Sequence, residues 1–355
     1  MRIAIDARGV KPKLQGVGRH VLNLLLGLSS RESDLEFLVF YNNPLARKLV
    51  DRSGGPFRGR FQWIKAISHP GTLIERVEIP WLLKIHNANL FHDVANLGIR
   101  TGSIPRVVTV HELAALRFDA HPKTQRIKRS LRGARLVISV SQSLAEEIEG
   151  NFSISRPKIR VISNAIDPWY TERVTDKEIR AMRDRFQLRG KYFLCVTADR
   201  PSKNLALVQR LAESWKGTDE WAFTIPGVDT GALRHFDVVE DVWLRPLYTA
   251  SNALIVPSFY EGFSLPPVEA LAAGNIPVVS DIPPHREILG EVLPNELFFD
   301  PKSAEALQKC LQVVADGGDP LRASVLEKFR GVRDRYSFIE TAQHIQSVYR
   351  EALRG

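Results

Sequence analysis

Cysteine is nearly absent from this 355-residue chain, which carries only Cys195 and Cys310. Two thiols give neither a disulfide framework nor a cysteine-rich metal cluster, and both are expected to be buried and reduced. There is no apolar run of about 18 residues, which excludes a hydrophobic spanning helix. The opening MRIAIDARGV enters a strand at once, without the layout of a signal peptide, so a cytoplasmic chain is expected. Internal repeats and low-complexity segments are also lacking, which sets aside solenoid and disordered classes. What remains, 44% apolar and 25% charged, is an ordinary globular composition with material for two domains.

Acidic residues are scarce in the first half. Residues 1–185 hold 31 Lys+Arg against 18 Asp+Glu, a charge of +13, while the remainder holds 18 against 22, or −4, giving +9 in all. A basic half suits nucleic acid, anionic lipid or an anionic small substrate, or is a solvated basic face. Six of its cations, Lys123, Arg126, Lys128, Arg129, Arg132 and Arg135, fall in residues 121–135, HPKTQRIKRSLRGAR. As a helix this stretch has a thin apolar stripe (Ile127, Leu131) and a broad basic face, which suits an anionic membrane surface or plain solvent. No aromatics alternate with the cations, so nucleic acid is not an expected partner.

Strand and helix patterns alternate along the chain, the signature of parallel α/β architecture. Arg2–Ala7 reads as a strand, 11–18 as a loop with Gly16 and Gly18, and Arg19–Leu28 as a helix. Strands are expected at Glu36–Tyr41, Phe61–Ile67, Asn89–Asp93, Arg106–Val110, Leu136–Val140, Lys158–Ser163, Tyr192–Ala198, Trp221–Pro226 and Asp241–Leu244. A glycine-rich loop is expected at 53–59. Further helices are expected at Leu144–Glu149, Asp176–Phe186, Leu205–Ser214, Ser303–Ala315, Pro320–Tyr336 and 337–353.

The chain is organised around 253–290, ALIVPSFYEGFSLPPVEALAAGNIPVVSDIPPHREILG. Ala253–Val256 reads as a buried strand, Ser258–Ser264 as the loop at its carboxyl end, and Val268–Ala273 as a short helix opened by Pro266 and Pro267. Ile276–Ser280 and Pro284–Ile288 follow as strand and helix. Backbone amides of Gly262, Phe263, Ser264 and Leu265 approach that helix N-terminus, which suits a phosphate. Glu261 and Glu269 flank the site with seven residues between them. Carboxylates so placed accept hydrogen bonds from sugar and ribose hydroxyls, while the plainer reading is a solvated loop Glu and a helix-dipole Glu.

The block P-S-x-x-E-G-F-x-L-P, E-A-x-A-x-G and P-V-V-S-D resembles the E-x7-E motif of retaining glycosyltransferases of family 4, also called group 1. That resemblance implies the GT-B fold: two Rossmann-like α/β domains with parallel sheets facing an interdomain cleft. Residues 1–166, completed by a last helix near 338–355, would form the acceptor side, and 167–337 the nucleotide-sugar domain. Gly16-Val17-Gly18 resembles the family's glycine loop, and His111-Glu112 its His-Asp, with the histidine facing the transferred sugar. Lys203-Asn204 resembles its Lys-Asn, with Lys203 and Arg200 on the donor phosphates. Glu112, Ala165 and Ser202 depart from the usual Asp, Gly and Arg.

The resemblance implies a retaining hexosyltransferase that moves glucose or mannose from a nucleotide-diphosphate sugar to a saccharide or lipid-linked saccharide in cell-surface polysaccharide synthesis. The donor would be of the UDP-glucose or GDP-mannose type, with no cofactor. Absence of an Asp-x-Asp motif disfavours the metal-dependent alternative fold, so no metal is expected. The implied place is the cytoplasm, with peripheral contact on the inner face of an anionic membrane. The alternative is a non-catalytic or differently acting GT-B sugar-nucleotide-binding protein; a phosphorylase would need a pyridoxal-phosphate lysine and a longer chain.

Overall fold

The computed structural model describes residues 1–10, 16–52, 58–95, 98–118, 121–225, 227, 233–237 and 239–354. Residues 11–15 and 53–57 of the loops expected at 11–18 and 53–59, and Pro226, lie outside the described residues. The chain divides into two compact units, Met1–Ala165 with Arg335–Gly355, and Ile166–Asp334.

The first unit runs β1 (Arg2–Asp6), α1 (Gly16–Ser29), β2 (Glu36–Tyr41), α2 (Leu45–Arg52), β3 (Phe61–Lys65), α3 (Glu75–Ile85), β4 (Leu90–Asp93) and β5 (Arg106–Val110). It continues with α4 (Ala115–Phe118), α5 (His121–Arg132), β6 (Leu136–Ser139), α6 (Gln142–Phe152) and β7 (Ile159–Val161). The second runs α7 (Asp176–Phe186), β8 (Tyr192–Cys195), α8 (Leu205–Ser214), β9 (Glu220–Phe223), β10 (Leu233–His235), α9 (Asp241–Ala250) and β11 (Ala253–Val256). It ends with α10 (Leu265–Ala272), β12 (Pro277–Ser280), α11 (Pro283–Leu289), β13 (Phe298–Phe299) and α12 (Ala304–Val332), after which α13 (Phe338–Arg354) returns to the first unit.

Each unit is built on one parallel sheet, ordered β3-β2-β1-β4-β5-β6-β7 and β10-β9-β8-β11-β12-β13. Strand order reverses between β1 and β4 in the first and between β8 and β11 in the second. At such a switch point the loops from the two central strands diverge to opposite faces, which leaves a crevice at the carboxyl edge. In the first unit α1 and α13 cover one sheet face, with Val21, Leu24, Leu25 and Leu28 meeting Ala342, Ile345, Val348 and Tyr349 in one core. The helices cross so closely that a Cβ on Gly27 would stand 2.3 Å from the Phe338 carbonyl oxygen. The opposite face is covered by Ile79, Leu82 and Leu83 of α3.

Several expectations need correction. Gly16 and Gly18 lie in the first turn of α1, not in the loop before it. Asp241–Leu244 is the start of helix α9, not a strand. Its proline, Pro246, suggests a break, yet Leu244, Leu247 and Tyr248 are buried along one side, and buried Arg245 pairs with Glu172 and Glu178. The two helices expected after residue 303 are both present, by contrast: α12 is two helices joined across a kink at Gly318, whose non-helical φ of 47° is reached without strain only by glycine. Helices α2 and α3 and strand β10 were not anticipated.

Candidate functional site

In the second unit, Lys203 and Glu261 follow the two strands that flank the switch point. The turn Pro201–Lys203 after β8 and the loop after β11 are laced together by backbone bonds: Phe259 N–H donates to the Ser202 carbonyl (2.8 Å). Asn204 Nδ2 donates to the carbonyls of Pro257 (3.0 Å) and Pro301 (2.7 Å). Because Ser202 acts through its carbonyl, its departure from Arg leaves this lacing intact. The result brings Lys203 Nζ to 2.7 Å from Glu261 Oε2, in a pair whose side chains are 17% and 10% exposed. Ser258 Oγ donates to Glu261 Oε1 at 2.6 Å, and Ser280 Oγ holds the Ser258 carbonyl at 2.6 Å.

Burial works to raise the Glu261 pKa, but the charge of Lys203 and the bonds from Lys203 and Ser258 outweigh it and hold the carboxyl below its ordinary value. His285 is fully buried and its Nδ1 meets the Ser280 carbonyl at 2.8 Å, so Nδ1 carries the proton. Burial lowers its pKa, opposed by Glu261 and the Ser280 bond, so the ring is neutral.

Ser264, the residue before α10, has φ 82° and ψ 88°, a conformation unfavourable for a side-chain-bearing residue. Such strain costs on the order of 1–3 kcal/mol and persists where the surroundings fix it. It turns the chain from the Glu261–Phe263 loop into a helix whose Leu265 amide has no intrahelical acceptor, Pro266 and Pro267 having no N–H to satisfy. Glu269 is the fifth residue of α10, beyond its first turn, so a helix-dipole role does not fit it. Its carboxylate is buried and accepts from Tyr248 Oη at 2.9 Å. Arg200 is exposed at the start of the Pro201–Lys203 turn.

In the first unit, His111 follows β5 directly and is half-buried. Its Nε2 lies 2.8 Å from the Val94 carbonyl, an acceptor only, so Nε2 carries the hydrogen and Nδ1 keeps its lone pair. Burial pushes its pKa down to about 4 against the opposing Val94 bond, so the ring is neutral at pH 7. His20 of α1 packs edge-on against it, ring centroids 4.6 Å apart. His92, on β4, is clamped between Tyr349 Oη and Thr109 Oγ1 at 2.7 Å each. Gly16 is exposed in the first turn of α1, and a Cβ there would meet nothing within 4 Å. Gly18 is buried. Ala165 needs no glycine, because positive φ does not occur there; its carbonyl accepts from Asn23 Nδ2 at 2.9 Å.

The structure thus brings together Lys203, Glu261, the strained Ser264 and buried Glu269 around one loop and helix, and places His111 in a histidine cluster of its own. Sequence reasoning missed Ser258, His285, Tyr248 and His20. Ser258 and His285 stood in the quoted block, in P-S-x-x-E and P-P-H-R-E, and the spacing itself was the signal. Among the described residues, no group of three or more His, Cys, Asp and Glu is arranged to hold a metal ion. No described helix is long and apolar enough to cross a membrane.

Comparison with known proteins agrees from both halves. Residues 14–170 match Glycosyltransferase Family 4 and residues 178–327 match Glycosyl transferases group 1. The O-antigen chain mannosyltransferase B of Escherichia coli is 23% identical over 342 residues, covering 86% of this chain and 88% of the relative. The MMP alpha-(1->4)-mannosyltransferase of Mycolicibacterium hassiacum is 24% identical over 320 residues, covering 82% and 77%. The crystal structure of Anabaena HepE with UDP and glucose superposes with a TM-score of 0.76 at 13% identity, over 99% of this chain and all of that one. That likeness, with the two parallel-sheet units, shows the GT-B fold.

Proposed function

The chain belongs to the family 4, group 1 glycosyltransferases, and from that membership we propose that it is a retaining hexosyltransferase using a nucleotide-diphosphate sugar without a metal. The observation that carries the reading is the Lys203–Glu261 pair at the switch point, beside the N-terminus of α10. Lys203 and the amides of Gly262, Phe263, Ser264 and Leu265 meet the charge that develops on the departing diphosphate, with Arg200 at its outer edge. Glu261 accepts hydrogen bonds from hydroxyls of the transferred sugar, and Glu269 holds the ribose. His111 offers the Nδ1 lone pair of a neutral ring to a sugar hydroxyl, and the Gly16–Gly18 turn of α1 serves substrate binding in the first unit.

In the reaction, the bond from the sugar anomeric carbon to the diphosphate oxygen breaks. The acceptor hydroxyl oxygen bonds to that carbon on the same face, and its proton passes to the departing phosphate. Retention is supported by the relative named for an α-linked mannoside, since an α-linked nucleotide donor giving an α-linked product keeps its configuration. Mannose is the favoured sugar and glucose the second, with a saccharide or lipid-linked saccharide as acceptor. The exposed cations Lys128, Arg129 and Arg132 of α5 draw the chain towards an anionic surface. Leu131 of that helix is buried, so the attraction there is electrostatic, without insertion.

The test is incubation of the purified chain with a panel of sugar nucleotides, following slow donor hydrolysis and then transfer, with the product anomer read by NMR. Hydrolysis of one donor and an α-linked product are expected. No turnover of any donor would favour a binding protein, and an inverted product would refute retention.

A further inference from the structure

Helix α3 is apolar on two sides. Ile79, Leu82 and Leu83 are buried against the sheet, while Ile74, Val77, Trp81 and Ile85, at spacings of three and four, form a second stripe on the opposite side. That second stripe faces solvent: Val77 is 73% exposed and Trp81 57%. Leu73 and Ile67 in the preceding loop extend it, exposed by 73% and 81%. Scattered exposed apolar residues are ordinary, but six gathered on one helix and its lead-in loop form a patch that marks an interaction surface.

The fully exposed charges of α3 are cationic. Of its two acids, Glu75 is buried and Glu78 is half-buried, and both are held by hydrogen-bond donors. Glu75 receives Arg8 Nη2 at 2.7 Å and the Gly71 amide at 2.9 Å. Glu78 receives the amides of Ile67 and Ser68 at 2.6 and 2.7 Å. The remaining charged side chains, Arg76 and Lys84 on the helix and Lys65 on β3, are exposed. The local surface is therefore apolar and cationic, and Arg8 and the loop amides fix it so by holding the carboxylates.

We propose that this face of α3 docks the chain in the plane of an anionic bilayer, with Val77, Trp81 and their neighbours in the headgroup–acyl boundary and Arg76, Lys84 and Lys65 among the headgroups. An apolar stripe flanked by cations, with a tryptophan at its centre, suits that boundary, where an indole buries its ring and keeps its N–H wet. A second copy of the chain fits less well, because a two-fold contact through this patch would set cations against cations. The inference stands apart from the transferase reading and needs nothing from α5.

The experiment is flotation of the full chain with vesicles of phosphatidylethanolamine and phosphatidylglycerol, and with vesicles of phosphatidylcholine alone. Partition onto the anionic vesicles is expected, weakening with salt. The double variant Val77→Glu/Trp81→Glu should lower it by about tenfold or more, since exposed apolar area no longer inserts. These side chains lie outside the core, so its unfolding transition should match that of the unaltered chain. Arg76→Gln/Lys84→Gln should weaken binding to anionic vesicles only, and Arg129→Gln/Arg132→Gln on α5 should have the smaller effect. Undiminished binding by the Val77→Glu/Trp81→Glu variant, or no flotation of the unaltered chain, would overturn the proposal. So would a dimer in solution that this variant dissolves in the absence of any vesicle binding, which would assign the patch to a second copy.

Discussion

Replacing Lys203 by methionine tests the electrostatics of the second unit directly, because it keeps the side-chain length and removes the charge. Glu261 would then remain buried with Ser258 Oγ as donor at 2.6 Å and without the cation now at 2.7 Å. Removing one partner of a buried ion pair costs about 3–5 kcal/mol. With 17% and 10% exposure left to the two side chains, Lys203→Met is expected to lose about 2–4 kcal/mol at pH 7.5. The pH dependence carries the sharper sign. In the unaltered chain the Glu261 pKa is depressed, so its contribution is present above the ordinary carboxyl value and lost only as pH falls through the lower folded one. In the variant, burial dominates and raises the pKa, so the folded state binds a proton more readily than the unfolded state. Its stability should therefore recover as pH falls from 7.5 to 5, and the deficit against the unaltered chain should narrow. Buried histidines elsewhere cancel in that difference. Of the six tryptophans, Trp169, Trp215, Trp221 and Trp243 lie in the second unit, so urea titrations read by fluorescence report mainly on it. A deficit below about 1 kcal/mol, or one that does not change with pH, would refute the reasoning.

Four further outcomes are expected. Glu269→Gln should weaken binding of the free nucleoside diphosphate by about 1–3 kcal/mol in calorimetry, as for a lost charged hydrogen bond. His111→Ala should lower turnover about a hundredfold, roughly 3 kcal/mol, with little change in nucleoside diphosphate affinity, because the contact is made to the sugar in the transition state. Gly27→Ala should destabilise the first unit by about 1–3 kcal/mol, measured by thermal unfolding, since the new methyl meets the Phe338 carbonyl. His20, His92 and His111 all have pKa values lowered by burial, so the folded first unit binds fewer protons than the unfolded one below pH 6.5. Its stability should fall as pH drops from 6.5 towards 4, by up to about 1.4 kcal/mol per pH unit for each ring, seen in urea melts at stepped pH.

Much of the fold was legible because strand alternation and helix period survive where one side of an element is buried. Glu36–Tyr41, Arg106–Val110, Asp176–Phe186, Leu205–Ser214 and Ala253–Val256 have the same bounds in sequence and structure. The failures share a cause. Residues 73–85, LIERVEIPWLLKI, are apolar on two sides with Pro80 among them, so no single stripe stands out and α3 escapes notice. In α9 the pattern is broken again by Pro246 and by Arg245, a charge buried only because Glu172 and Glu178 lie elsewhere in the chain. Periodicity reports burial on one side. It is silent when solvent or a remote partner changes what a side may carry.

The candidate site was legible as residue types and not as contacts. Glu261 and Glu269 stand alike in the sequence, two carboxylates about a phosphate-binding turn, yet their surroundings separate their chemistry. Glu261 meets a lysine 58 positions away, and Glu269 meets a tyrosine hydroxyl 21 positions back. A cation at 2.7 Å keeps the first ionised as burial works to neutralise it, whereas Tyr248 offers the second a neutral hydroxyl at 2.9 Å. His111 shows the same limit from the other direction. A histidine after a strand can be charged or neutral, and with either nitrogen protonated, until its neighbours are known. The Val94 carbonyl fixes the hydrogen on Nε2 and burial removes the charge, so the ring's remaining chemistry is that of an acceptor at Nδ1. A group that can only accept is suited to orienting a sugar hydroxyl and unsuited to donating a proton to a leaving group. In the proposed reaction the departing phosphate accordingly takes its proton from the acceptor hydroxyl and not from His111.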